Sequence, residues 1–174
     1  MWLTWANAVT AVRALLALPC AWAAVSQRWD LAAVLLTMAV LSDLLDGPLA
    51  RRLGQTSALG GLLDHATDAA FVTILLAALA SAGYVPWLLP ALVAVAFLQY
   101  ATDSQALRGR SLRASWLGRV NGIAYFALAA VPVYRGALGA GWPPDALIIA
   151  GGWLLVLTTA TSMLDRLRLW RTAE

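Results

Sequence analysis

Four aspartates carry the chemical signal, because each lies in an otherwise apolar run: Asp43 and Asp46, then Asp64 and Asp68. An ionisable side chain at the centre of a membrane span costs about 2.5–3.5 kcal/mol on insertion scales, so its presence calls for a functional reason. Spacings of three and four place each pair on one helix face. Gly47 and Ala50 extend the first face and Gly60 the second, which lets a backbone or a flat ligand come close. If the two helices are antiparallel, Asp43 and Asp68 fall at matching depths, roughly 12 Å below the interface at 1.5 Å per residue, with Asp46 and Asp64 at roughly 6–8 Å. The two acidic stripes are then expected to face each other. Four carboxylates in one poorly hydrated pocket cannot all remain ionised unless cations neutralise them. Oxygen-only ligation suits a hard divalent ion, Mg²⁺ or Mn²⁺. The competing reading, carboxylates paired with arginine to brace the bundle, gives them no chemistry.

The elements that must hold these groups follow from composition. The chain has 174 residues, 61% hydrophobic and 12% charged, against about 25% charged in a soluble domain. That balance excludes a soluble enzyme and a disordered chain, and predicts an all-α integral membrane protein. Apolar runs at 5–26, 31–52, 60–82, 86–106, 117–138 and 144–166 predict a bundle of six transmembrane helices. Residues 1–174 then form a single membrane domain. All twelve basic residues are arginine. Arg51, Arg52, Arg108, Arg110, Arg113, Arg119, Arg166, Arg168 and Arg171 lie on one side of the runs, and only Arg28 and Arg135 on the other. The excess predicts that both termini are cytoplasmic. Membrane lipid headgroups, not nucleic acid, are the partners expected for most of these arginines. Trp29, Trp87, Trp142 and Trp170 fall near helix ends, where indoles anchor at the interface. The single Cys20 excludes an intramolecular disulfide and a cysteine zinc site. Arg13 interrupts the first apolar run and no basic residue precedes it, so a cleaved leader is not expected.

The acidic residues and their neighbours read Asp43-x2-Asp46-Gly47-x2-Ala50-Arg51-x8-Gly60-x3-Asp64-x3-Asp68. This resembles the complete signature of the CDP-alcohol phosphotransferase family, with every spacing satisfied. The resemblance implies that Asp43, Asp46 and Asp64 bind metal ions, two in number, with Asp68 completing the site. It implies that Asp68 is also the general base for the acceptor alcohol. Gly47, Ala50 and Gly60 would let the cytidine nucleotide lie against the helices, and Arg51 would stand near its phosphates. The implied donor is CDP-diacylglycerol, the acceptor a small water-soluble alcohol, and the leaving group CMP. The implied setting is a homodimer in the bacterial inner membrane, with its active site facing the cytoplasm. Gly118-Arg119 is most similar to the Gly-Lys pair of phosphatidylglycerophosphate synthases, with arginine keeping the charge but changing the donor geometry.

Asn7, Thr10 and Arg13 form a polar stripe in the first run, and Asn7 and Thr10 are expected to contact the nucleotide, since intramembrane polar groups cluster toward cavities. Arg119 opens the fifth run and is the candidate for an acceptor phosphate, with Arg110 and Arg113 as helpers, because a guanidinium meets phosphate bidentately. Glycerol 3-phosphate is the leading acceptor. Inositol phosphate is second, since Asn121 offers a polyol contact. His65 should point about 100° from the aspartate stripe and stay outside the site. A cation transporter would also use buried carboxylates, but it leaves Gly47, Ala50, Arg51 and Gly60 unexplained.

Overall fold

The computed structural model describes residues 5–52, 58–103 and 116–171, with side chains described over 10–44, 60–102 and 116–167. Among the described residues six helices follow in order: α1 (Trp5–Val25), α2 (Trp29–Arg52), α3 (Ala58–Ser81), α4 (Leu88–Asp103), α5 (Trp116–Ala137) and α6 (Asp145–Arg171). They match the six apolar runs one for one. No strand occurs among the described residues. Three stretches among them, Gly60–Ser81, Trp116–Ala137 and Asp145–Leu167, are long and apolar enough to cross a bilayer. The apolar part of α4 is shorter, Leu88–Thr102.

Helices α1 and α2 pack largely through small residues: Ala17, Cys20, Ala24, Ala32 and Ala39 are buried, while Leu15, Leu18 and Trp22 are exposed. Helix α3 fills the centre with large ones, Phe71, Leu75, Leu76 and Leu79. Small residues at a seam let backbones approach closely, and outward leucines suit surroundings of acyl chains. Phe71 stacks on Phe126 with ring centroids 6.0 Å apart, joining α3 to α5.

Two packing arrangements position everything that follows. First, α1 packs extensively against both α2 and α3, while α2 and α3 make little direct contact among the described residues. The acidic helices are therefore held apart by a wedge, and their stripes face each other across it. Second, α3, α4, α6 and α5 pack in that order into a closed ring, α5 returning to α3. Helices α4 and α5 thus stand across the ring from each other.

The end of the bundle remote from the aspartates is tightly fastened. Arg135 donates to the Pro143 carbonyl at 2.6 Å, pairs with Asp145 at 2.5 Å and lies over the Tyr84 ring at 5.4 Å. Gly152 faces the Pro86 ring so closely that an added Cβ would lie 2.6 Å from Pro86 Cδ.

Candidate active site

Arg13 is fully buried at the centre of the wedge. Its Nη2 lies 3.1 Å from Asp43 Oδ1 on α2. Its Nη1 lies 2.9 Å from Asp64 Oδ1 on α3 and also donates to Asp68 Oδ1. The Nε reaches Ser42 Oγ at 3.4 Å, and that hydroxyl donates to the Ala39 carbonyl at 2.7 Å. One guanidinium therefore gathers three of the four expected carboxylates from two helices. A helical wheel cannot report this, because it gives the face of each helix and not the element that fills the gap. The side chains are unevenly covered: 46% exposed for Asp43, 29% for Asp64 and 24% for Asp68, against 1% for Arg13. The carboxylates thus open to one side while their common partner is sealed behind them.

His65 belongs to this cluster. Ligand atoms of Asp64, His65 and Asp68 lie within 4.8 Å of one another. The wheel argument fixed the direction of its Cβ, but the imidazole reaches back further than that angle suggests. Its ring meets Tyr100 edge-on at 5.9 Å, and Arg166 lies over that same Tyr100 ring, its Cζ 4.9 Å from the centroid.

Asp43, His65 and Asp68 also line a cleft of about 810 Å³ that lies within the four-helix ring and extends to α2. Its floor is apolar, with Val72, Val93 and Phe126. Helix α5 contributes Gly118, Asn121, Gly122 and Tyr125, one face at i, i+3, i+4, i+7, and Arg119 beside it. Helix α6 contributes Thr159, Ser162, Met163 and Arg166 at the same spacing. Deep in the cleft the hydroxyls of Tyr125 and Thr159 hydrogen-bond at 2.6 Å. The chamber therefore runs from a basic mouth, past a carboxylate wall, to an apolar floor.

A model of the CDP-alcohol phosphatidyltransferase family matches residues 3–164. The chain belongs to that family. It is accordingly an enzyme, a phosphotransferase for substituted phosphate groups, whose substrates are a CDP-alcohol and an acceptor alcohol. No curated protein and no solved structure matched the chain. The family generally uses a divalent metal, and the donor set here fits one. Three described carboxylates meet one guanidinium, so Arg13 can offset only one of their charges, and full ionisation of all three calls for a cation. Each carboxylate offers about four lone-pair sites, so an oxygen bonded to Arg13 keeps capacity for a cation. Carboxylate oxygens with at most one imidazole are hard ligands suited to Mg²⁺ or Mn²⁺.

The remaining expected residues divide into three groups. Thr10, half-buried one turn before Arg13, and Gly60, half-buried one turn before Asp64, flank the carboxylates. Asn7, Asp46, Gly47, Ala50 and Arg51 lie within α1 and α2, but their side chains fall outside the described residues, and Arg110 and Arg113 fall outside them entirely. Arg119 is exposed and lines the cleft with Asp68. Sequence reasoning missed Arg13 as the hub, Arg166 as a second cation at the cleft, and Gln99 on its α4 wall. A signal existed for Arg166, since Thr159, Ser162 and Arg166 form a polar stripe on an apolar helix.

Proposed function

We propose that the protein transfers the phosphatidyl group of CDP-diacylglycerol to a phosphorylated small alcohol, releasing CMP, and that glycerol 3-phosphate is the acceptor. The observation that carries this reading is the cleft itself, which sets Asp68 on one wall and Arg119 and Arg166 on the others. The exposed Arg119 guanidinium at the cleft suits a phosphate, which it can meet bidentately, better than an uncharged or zwitterionic alcohol. Inositol phosphate is the second reading, favoured by Asn121 in the same cleft.

Asp43, Asp46, Asp64 and Asp68 hold the metal, two ions of Mg²⁺ or Mn²⁺. When bound, such ions neutralise the pyrophosphate and the departing CMP. Asn7, Thr10, Gly47, Ala50, Arg51 and Gly60 cradle the nucleotide. The acceptor enters by the basic mouth, its phosphate taken by Arg119 with help from Arg110 and Arg113. Asp68 takes the proton of the reacting hydroxyl. That oxygen bonds to the phosphorus bearing the diacylglycerol, the bond from this phosphorus to CMP breaks, and the proton stays on Asp68. Arg13 keeps the Asp68 carboxylate aimed at the cleft by holding its other side.

The six helices cross the bacterial inner membrane as one domain, residues 1–174, with both termini cytoplasmic, and the protein works as a homodimer. The asymmetry of arginines supports this orientation. It places the aspartates just under the cytoplasmic surface, where a lipid donor arrives from the bilayer and a soluble acceptor from water.

The reading is tested with purified protein, CDP-diacylglycerol and Mg²⁺, measuring CMP release with phosphorylated and free alcohols. Arg119→Ala should raise the acceptor KM roughly tenfold to a hundredfold, the range for a lost charge-assisted contact, while moving the donor KM much less. Equal effects on both substrates, or better turnover with glycerol, serine or inositol than with their phosphorylated forms, would overturn it.

A further inference from the structure

Three buried polar atoms among the described residues have no hydrogen-bond partner: Gln99 Oε1, Tyr100 Oη and Asn121 Nδ2. All three belong to residues that line the one cleft. Buried polar groups are otherwise almost always paired, and leaving one unmade is unfavourable, so their concentration in a substrate chamber needs a cause. Their chemistry is complementary. The Gln99 amide is oriented by its Nε2, which donates to the Met163 carbonyl at 3.1 Å, so Oε1 is a fixed acceptor. Asn121, only 3% exposed, interacts through its side chain with the Tyr125 hydroxyl one turn further along the same face, yet its Nδ2 makes no hydrogen bond of good geometry, so at least one of its two N–H donors is unused. Tyr100 can do either. Gln99 and Asn121 sit on α4 and α5, the helices that stand across the ring from each other. A second feature keeps this region open. Gly122, beside Asn121 on the cleft face, has nothing within 4 Å of where a Cβ would lie.

A hydroxyl group is the ligand that answers a fixed acceptor and a free donor together, because it donates one hydrogen bond and accepts others. We infer that Asn121 and Gln99, with Tyr100, form a subsite that reads a non-reacting hydroxyl of the acceptor, which makes the enzyme specific for a phosphorylated polyol over a phosphorylated simple alcohol. This rests on the acceptor reading above and adds to it. The phosphate stays at the mouth with Arg119, the reacting hydroxyl meets Asp68, and the remaining hydroxyl lies between α4 and α5. An acceptor lacking that hydroxyl leaves the buried amide groups unpaired, and a site built to hydrogen-bond a hydroxyl discriminates against such an analogue.

The test compares glycerol 3-phosphate with 3-hydroxypropyl phosphate, which keeps the phosphate and the primary hydroxyl but lacks the middle one. The wild-type enzyme should favour glycerol 3-phosphate in kcat/KM by on the order of tenfold to a hundredfold, short of the limit for a fully enclosed site because the cleft is open to water. Asn121→Leu should bring that ratio close to one. Should this variant fail to bind CDP-diacylglycerol as a folded protein, Gln99→Met supplies the same comparison from the opposite wall. A wild-type ratio near one would overturn the inference alone. So would a variant that slows both alcohols alike and keeps the ratio, the mark of a merely structural role. Transfer to neither phosphorylated alcohol would overturn the acceptor reading together with it.

Discussion

Asp64→Asn is expected to reduce phosphatidyl transfer to background while leaving a folded, inserted protein. Asparagine keeps the shape of the side chain and can still meet the Arg13 guanidinium, 2.9 Å away, through its amide oxygen. It removes one of the three described carboxylates around Arg13, so less negative charge is left to attract a divalent cation. Asp43→Asn and Asp46→Asn should behave alike, and chelation of divalent ions should silence the unaltered enzyme. The measurement is CMP release alongside gel filtration and Mg²⁺ titration. Full activity in chelator, or in any of these variants, would remove the metal from the reading.

Asp68→Asn should have a different signature. Here the acceptor's proton loses its destination, and the expected fall in kcat is about a hundredfold or more, the usual scale of lost general-base catalysis. Donor binding should persist, because Asp43 and Asp64 remain. Equilibrium binding of CDP-diacylglycerol, measured beside kcat, separates the two roles. Lost donor binding with turnover preserved at saturation would make Asp68 a ligand and not the base.

The helices were legible because apolar runs have ends, and the ends coincide with breakers: Gly83 and Pro86 fall between α3 and α4, and Pro143 and Pro144 precede α6. The acidic pairs were legible because spacings of three and four fix a face. What sat between those faces was not. Among the described residues helix α1 carries a single buried charge, Arg13, and nothing in its own periodicity says that its partners lie 30, 51 and 55 positions on. The cleft was half legible. Gly118, Asn121, Gly122 and Tyr125 share a face that the sequence displays, as do Thr159, Ser162 and Arg166, but that both faces line one chamber with Gln99 depends on how four helices close into a ring. His65 shows the limit of wheel geometry, which tracks Cβ directions and ignores the length of the ring beyond.

The wedge has a consequence for biogenesis. Arg13 belongs to the first helix synthesised, yet every carboxylate it meets among the described residues arrives later, on α2 and α3. Alone in lipid, α1 bears a charge that disfavours insertion by about 2.5–3.5 kcal/mol. It therefore becomes a comfortable transmembrane segment only once the acids of α2 and α3 are present, so the first three helices should integrate as one unit. Nascent chains ending before Asp43 should leave α1 poorly integrated, and Arg13→Leu should restore its integration, both measurable by protease protection. Normal integration of α1 in the short wild-type chains would show that the later acids are not needed to bring this arginine into the membrane.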